Sequence, residues 1–157
     1  MTIQMVYHFS IGDLKLVENN GQLTEVLPVT SPQTVQQQEH SELLAKAARQ
    51  IKEYLAGQRQ KFDLPLAFTG TAFQQQVWQY LLTIPYGETR TYQAVARAIG
   101  KPQAVRAVGH AIGQNKLLLV VPCHRVLGKN GSLTGYAGGL AMKKQLLALE
   151  HLHQNKN

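Results

Sequence analysis

Leu117-Leu118-Leu119-Val120-Val121-Pro122-Cys123-His124-Arg125-Val126 is the stretch from which the rest of the chain can be read. Five aliphatic residues lead into a proline, and the only cysteine among 157 residues follows directly. A short aliphatic run bounded by Pro reads as a buried strand, so Cys123 is expected where such a strand ends, beside His124 and Arg125. A lone cysteine is ordinarily just core. Packing alone, however, has no use for His124 and Arg125, which are costly to bury unless paired. Cationic neighbours also lower a thiol's pKa and raise its thiolate fraction. The residues therefore favour a reactive nucleophile over a packing thiol.

Upstream, two short helices stand at helix-turn-helix spacing. Thr91 caps the first, which buries Val95, Ala96 and Ile99 and ends at Gly100. Pro102 suits the first turn of the second. Its apolar stripe is Val105, Val108 and Ile112, and its opposite face carries Gln103, Arg106, Ala107, His110 and Gln114. Any two short helices can mimic this motif, but the composition of the second adds to it. Arg106 stands alone among Ala107, Gly109 and Ala111, which suits close approach in a minor groove better than base reading in a major one. Ahead of the pair, Thr71 caps a helix containing Phe73, Val77, Trp78 and Leu81, stopped by Pro85 and Gly87. A domain boundary falls near 67–70, giving an N-terminal domain 1–66 and a C-terminal domain 67–157.

The N-terminal part reads as β and then α. Leu14 and Leu16, then Leu23 and Val26, flank an Asn19-Asn20-Gly21 turn, a strong hairpin signal. Pro28 to Gln38 is polar and reads as a loop. Ser41 caps a helix with Leu44, Ala47, Ala48, Ile51 and Leu55 apolar, ending at Gly57. Phe62, Leu64, Leu66 and Phe68 alternate as an edge strand with Pro65 on the outward phase. No polar residues are grouped here as a catalytic site requires, so this domain is expected to be structural. The fold class is α/β in the α+β sense.

Downstream of Cys123, a glycine-rich loop runs through Gly128, Gly131 and Gly135-Tyr136-Ala137-Gly138-Gly139. Glycine lets backbone approach a ligand closely, and Tyr136 offers a flat face for a base. A final helix spans roughly Leu140 to Leu152 with Met142, Leu146 and Leu149 inward. Glu150, near its end, can hydrogen-bond His124 and so orient an imidazole, as in a catalytic triad.

Composition bounds the function. Hydrophobic residues at 44% and charged residues at 16% are globular values. A net charge of +7 fits a polyanionic partner. One cysteine excludes an internal disulfide and structural zinc by cysteine clusters, and fits a reducing compartment. The six histidines include no His-Glu-x-x-His spacing, and no Walker or dinucleotide glycine motif occurs. Met1-Thr2-Ile3-Gln4 opens no signal peptide, and no apolar run nears the ~20 residues of a membrane span. A soluble cytoplasmic protein without metal or cofactor is expected.

Val121-Pro122-Cys123-His124-Arg125-Val126 resembles the active-site motif of the O6-alkylguanine-DNA alkyltransferases, the methylated-DNA–protein-cysteine methyltransferases. Gly70-Thr71, Ile84-Pro85-Tyr86-Gly87, Thr91-Tyr92 and Arg106-Ala107-Val108-Gly109 resemble the same family's second domain. The likeness is weak over the first forty residues and firm from Leu43 to Glu150. It implies a ribonuclease-H-like sheet-and-helix domain followed by a winged-helix-like, mostly helical domain. It implies that the partner is double-stranded DNA containing O6-alkylguanine, whose alkyl group passes irreversibly to Cys123 in a single turnover by a monomer. His124, Glu150, Asn115 and Tyr92 are the implied catalytic companions. Arg106, Ala107, Gln103, His110 and Tyr92 are expected at the DNA, with Arg106 filling the place of the flipped nucleotide. Tyr136, Ala137, Gly138, Pro122, Arg125 and Lys143 are expected around the alkylguanine. Two positions depart from the pattern: Lys116 stands where a Pro commonly follows the Asn, and Ala137 where Ser is frequent. A cysteine hydrolase would explain Cys123, His124 and Glu150 but neither the helix-turn-helix nor the charge. A DNA-binding regulator without chemistry would explain the last two but not Pro122-Cys123-His124-Arg125.

Overall fold

The structure is a computed structural model that describes residues 1–29 and 40–154. The chain divides into two compact units, Met1–Phe68 and Thr69–Asn157.

In the first unit, strands β1 (Thr2–Phe9), β2 (Gly12–Asn19) and β3 (Gln22–Pro28) form an antiparallel sheet in that order. Asn20 (φ 52°) and Gly21 (φ 81°) make the two-residue turn that joins β2 to β3, both in the left-handed region that a type I′ hairpin turn demands. A bulge follows: Glu18 faces Leu23 while Val17 faces Glu25, leaving Thr24 as the extra residue. The bulge is why Leu23 and Val26, three apart, are both buried beside Leu14 and Leu16. Helix α1 (Glu42–Leu55) begins where the Ser41 hydroxyl accepts from the Leu44 N–H, and it buries Leu44, Ala47, Ala48, Ile51 and Tyr54. Full burial of Leu44 and Ile51 is worth about 1.5–3 kcal/mol each. Ser41 also donates to the buried carboxylate of Glu18, tying the cap to β2.

Two expectations for this unit change. Residues 62–66 keep their alternating exposure, which stops at Ala67 and Phe68, and the segment forms a single parallel bridge, Leu23 with Leu66, instead of a strand. The amide of Gln50 takes both backbone groups of Asp63, at 2.9 and 3.2 Å. Pro65, which has no N–H, offers β3 only its carbonyl, at 2.8 Å from the Leu23 nitrogen. Strand β1 was not anticipated. Most of the loop expected at Pro28–Gln38 lies outside the described residues; Pro28 itself closes β3.

In the second unit, α2 (Ala72–Leu81) opens with a full capping box between Thr71 and Gln74. Val77, Trp78 and Leu81 are buried, and the Trp78 indole N–H donates to the Ala111 carbonyl at 2.7 Å. Helix α3 (Tyr92–Ala98) is capped by the Thr91 hydroxyl on the Ala94 N–H. Helix α4 (Val105–Gly113) buries Val108, Ala111 and Ile112. A two-residue parallel pair, β4 (Arg90–Thr91) with β5 (Val126–Leu127), and helix α5 (Leu140–His153) complete the unit. Pro102 is not in the first turn of α4: residues 102–103 form a turn, and the helix starts at Val105. The Pro102 carbonyl instead accepts from the Gln93 side chain at 3.0 Å, so Gln103 reaches solvent from the turn.

The largest correction concerns the opening stretch. Leu117–Val121 is buried throughout but is not a strand. It winds as a tight turn, with Leu119 at φ 69° and Val121 N–H on the Leu117 carbonyl at 2.9 Å. The Val120 N–H meets the Leu118 carbonyl at 2.7 Å, and the Asn115 side chain meets the Leu117 N–H and the Leu117 and Val121 carbonyls, so the turn is tied locally. A continuous apolar run marks burial but cannot by itself separate a strand from another buried segment.

Candidate active site

Asn115 is the axle of that turn. Its side-chain oxygen accepts from the Leu117 N–H at 3.0 Å, while its amide nitrogen donates to the Leu117 and Val121 carbonyls and, at 3.2 Å, to the Cys123 sulfur. The turn delivers the chain to Pro122 and then to a 3₁₀ turn over Cys123–Arg125. Cys123, His124 and Arg125 are all buried there. Burial pushes the Cys123 thiol up to about 11, against the opposing pull of the Asn115 hydrogen bond and the Lys143 charge. The lowering expected from cationic neighbours is thus outweighed: the resting sulfur is a thiol.

Behind it lies a carboxylate clamp. Glu150, on α5 and 1% exposed, accepts four hydrogen bonds. Oε2 receives His124 Nε2 at 2.7 Å and Arg125 Nη2 at 2.9 Å. Oε1 receives Arg125 Nε at 2.8 Å and the Gly87 N–H at 3.1 Å. Gly87 sits at φ 82°, a conformation that glycine adopts without strain. Arg125 also donates from Nη1 to the Ile84 carbonyl at 2.6 Å and lies 5.6 Å from the Tyr86 ring centroid. Burial alone would raise the Glu150 carboxyl, but His124 and then Arg125 outweigh it and hold the group well below the usual carboxylate range. Burial lowers His124, with Glu150 pulling the other way. The imidazole is therefore neutral at neutral pH, the form that can accept a proton.

The comparisons with known proteins fall on this geometry. Residues 72–152 match the family model described as 6-O-methylguanine DNA methyltransferase, DNA binding domain, and residues 3–68 match its ribonuclease-like domain. The chain belongs to the 6-O-methylguanine DNA methyltransferase family. The constitutive methylated-DNA–protein-cysteine methyltransferase of Bacillus subtilis is 48% identical over 150 residues, which cover 90% of this chain and 91% of that one. The crystal structure of the Mycobacterium tuberculosis O6-methylguanine methyltransferase superposes with a TM-score of 0.89 at 40% identity, covering 100% of this chain and 97% of the other. The Mycobacterium tuberculosis OGT in complex with DNA gives 0.86 at 42% identity, covering 94% and 92%.

Within this methyltransferase chain the remaining site residues sit as follows. Lys143 on α5 is buried, with Nζ on the Val126 carbonyl at 2.7 Å and the Thr134 carbonyl at 3.3 Å. Burial lowers its ammonium and the Cys123 charge partly restores it. Tyr136 presents a buried hydroxyl with no hydrogen-bond partner among the described residues. Burial, and then the charges of Cys123 and Glu150, raise it well above the ordinary phenol value. Gly138 lies against Tyr136 and Met142, where a Cβ would collide, and Ala137 is exposed. On α4, Arg106, Ala107 and His110 are exposed together, as the helical spacing predicts, and Gln114 follows at its end. Tyr92 opens α3, half-buried, and its hydroxyl meets the Thr134 hydroxyl at 2.6 Å. One residue moves: Arg125, expected against the substrate, spends its guanidinium on Glu150 and Ile84. Sequence reasoning did not single out Gly87, Ile84 or Thr134. Ile84 and Gly87 lie in a segment that carried the family resemblance, whereas nothing in the sequence pointed to Thr134.

Proposed function

We propose that this methyltransferase repairs DNA by moving the alkyl group of O6-alkylguanine in a duplex onto Cys123. The observation that carries the reading is the arrangement of one buried thiol on the Asn115 amide with its sequence neighbour His124 paired to Glu150. The α4 face with Arg106, Ala107 and His110 docks the duplex, and lysine and arginine contacts to phosphate supply affinity. An atom inside the base stack is out of reach, so the nucleotide is flipped out at a cost of a few kcal/mol. Arg106 fills its place, and Tyr92 helps rotate its phosphate. The base lodges between the Tyr136-Ala137-Gly138 loop and Pro122-Cys123, with Lys143 supporting the loop from behind.

Glu150 holds Nε2 of His124, so the Cys123 proton enters the ring at Nδ1 through an intervening water. The sulfur lone pair forms the S–C bond as the C–O6 bond breaks, and that electron pair leaves on guanine. The Tyr92 proton neutralises the guanine anion, and the imidazolium and tyrosinate then exchange their proton through solvent. The thioether product stands outside thiol–disulfide exchange, so each chain acts once and alone. A thiol whose pKa is near 11 is ionised only as transfer occurs, which keeps the idle sulfur from stray electrophiles. The site's chemistry needs no cofactor. We assign it to residues 67–157, with 1–66 as a structural partner domain. A free thiol acceptor suits the reducing cytoplasm, and no helix among the described residues is long and apolar enough to cross a membrane.

Arg106→Ala separates the two roles open to that side chain. A base-displacing Arg stabilises the flipped state, so its loss slows repair of O6-methylguanine in duplex DNA by one to two orders of magnitude, roughly tenfold per 1.4 kcal/mol. The free base O6-benzylguanine needs no flipping, and its reaction with Cys123 stays near the wild-type rate. Equal slowing on both substrates would place Arg106 in the fold or the pocket instead.

A further inference from the structure

Tyr92 and Thr134 are 42 residues apart, yet their hydroxyl oxygens lie 2.6 Å from each other. The two sides of this contact are held independently. The Tyr92 ring lies along Gly109 of α4, where a Cβ would stand at ordinary contact, 3.7 Å from the ring edge. Thr134 is anchored through its carbonyl on the buried Lys143 ammonium and through its methyl group against Gly128. Gly128 must be glycine for that approach, since a Cβ there would lie 2.9 Å from the Thr134 methyl carbon. The Gly128 N–H in turn holds the Ser132 carbonyl at 2.8 Å, closing the turn before Thr134. Thr134 is therefore a fixed point, and the Tyr92 hydroxyl is held to it.

A phenol offers one proton and can accept at its oxygen, and a threonine hydroxyl can do the same. The direction of the bond decides what is left for the substrate. If Tyr92 donates to Thr134, its proton is occupied. If Thr134 donates to Tyr92 Oη, the phenol proton is left to point elsewhere, and negative charge forming on Oη meets a donor already in place. We propose that Thr134 is a positioning residue that donates to Tyr92 Oη, so that the Tyr92 proton is aimed at the departing guanine. The inference rests on the reading of Tyr92 as the group that protonates the leaving base. It adds the residue that orients this proton, and it links the helix-turn-helix to the glycine-rich loop through one hydrogen bond.

The experiment is a double-mutant cycle on single-turnover transfer from O6-methylguanine duplex DNA. Thr134→Val keeps the shape and removes the hydroxyl, and it should slow transfer about tenfold, the factor equivalent to the 1.4 kcal/mol of one good hydrogen bond. Thr134→Ser restores the hydroxyl and should recover most of the rate. In a Tyr92→Phe background, Thr134→Val should cost nothing further, because the bond it removes is already gone. Wild-type speed in Thr134→Val, failure of the serine variant to rescue, or equal slowing in both backgrounds would each overturn the proposal while leaving the transfer reaction intact. Absence of methyl uptake by the wild-type protein would instead overturn the function on which the proposal rests.

Discussion

Cys123→Ser takes up no methyl group from O6-methylguanine DNA, while its affinity for the duplex stays at the wild-type value. The substitution exchanges one sulfur for an oxygen of similar shape, and the Asn115 amide, now 3.2 Å from sulfur, can donate to the hydroxyl as well. The turn around Asn115 and the exposed face of α4 are untouched, so docking survives. Chemistry does not, because a hydroxyl at neutral pH is a far weaker nucleophile than a thiol whose proton His124 can remove. The check is to measure labelled methyl transfer to protein beside a DNA-binding titration. Uptake retained by the serine variant would mean that another residue is the acceptor.

Glu150→Gln carries the second large effect, on both stability and rate. An amide has one oxygen where the carboxylate has two, and its NH₂ would face a donor. Arg125, 7% exposed, then keeps its charge without its counter-ion. Breaking a buried pair from one side costs about 3–5 kcal/mol, and denaturant unfolding at pH 7 should show a loss of that size. The pH dependence has a definite sign. Glu150 is held below its ordinary value, so its stabilisation is complete above the unfolded-state pKa of about 4.3 and is lost as pH falls through the folded value. His124 is also lowered, so its contribution is complete above about 6.5 and drains away below that. Glu150→Gln lacks the Glu150 contribution altogether, so that contribution to the stability gap between the two proteins should shrink as pH falls below about 4.3, where the wild type loses it. Transfer should slow as well, because the imidazolium formed on accepting the Cys123 proton has lost its partner charge. The rise that marks deprotonation of His124 should move to lower pH, since Glu150 no longer raises that group. An unchanged pH–rate profile would show that Glu150 serves the fold alone.

The elements that could be read from sequence are those whose physics is local. Ser41, Thr71 and Thr91 each cap a helix from a side chain three residues away from its donor, and Asn20-Gly21 sets a turn by its own backbone preferences. The apolar stripe of α4 follows helical spacing, which is why Arg106, Ala107 and His110 emerge on one face. What could not be read is decided at long range. Strand β1 is half-exposed along most of its length, so it lacks the clean alternation that marks a strand. Gln50 takes the backbone of Asp63, and Asn115 satisfies the turn before Cys123; neither bond leaves a trace in hydropathy.

The site divides in the same way. The hydrogen bond of Glu150 to His124 was legible because an imidazole and an orienting carboxylate are a small chemical vocabulary. The electrostatics of the site were not. The residues beside Cys123 in sequence suggested a lowered thiol, but burial dominates, and a residue's depth is a property of the packed fold. The family resemblance implies Arg125 around the alkylguanine, whereas 3₁₀ geometry carries its guanidinium to Glu150, 25 positions on. Thr134 had no signal at all: a threonine in a glycine-rich loop is unremarkable until Tyr92 is seen across from it.

The central claim is that Cys123 ends the reaction bearing the alkyl group. Its most direct test is mass spectrometry of the proteolysed protein after incubation with an excess of duplex DNA containing O6-methylguanine. The peptide containing Cys123 should gain the mass of one CH₂, in proportion to guanine restored, with repair stopping at about one equivalent per chain because the thioether is a dead end. Repair that continues through many equivalents, or an unmodified Cys123 peptide after repair is complete, would contradict it.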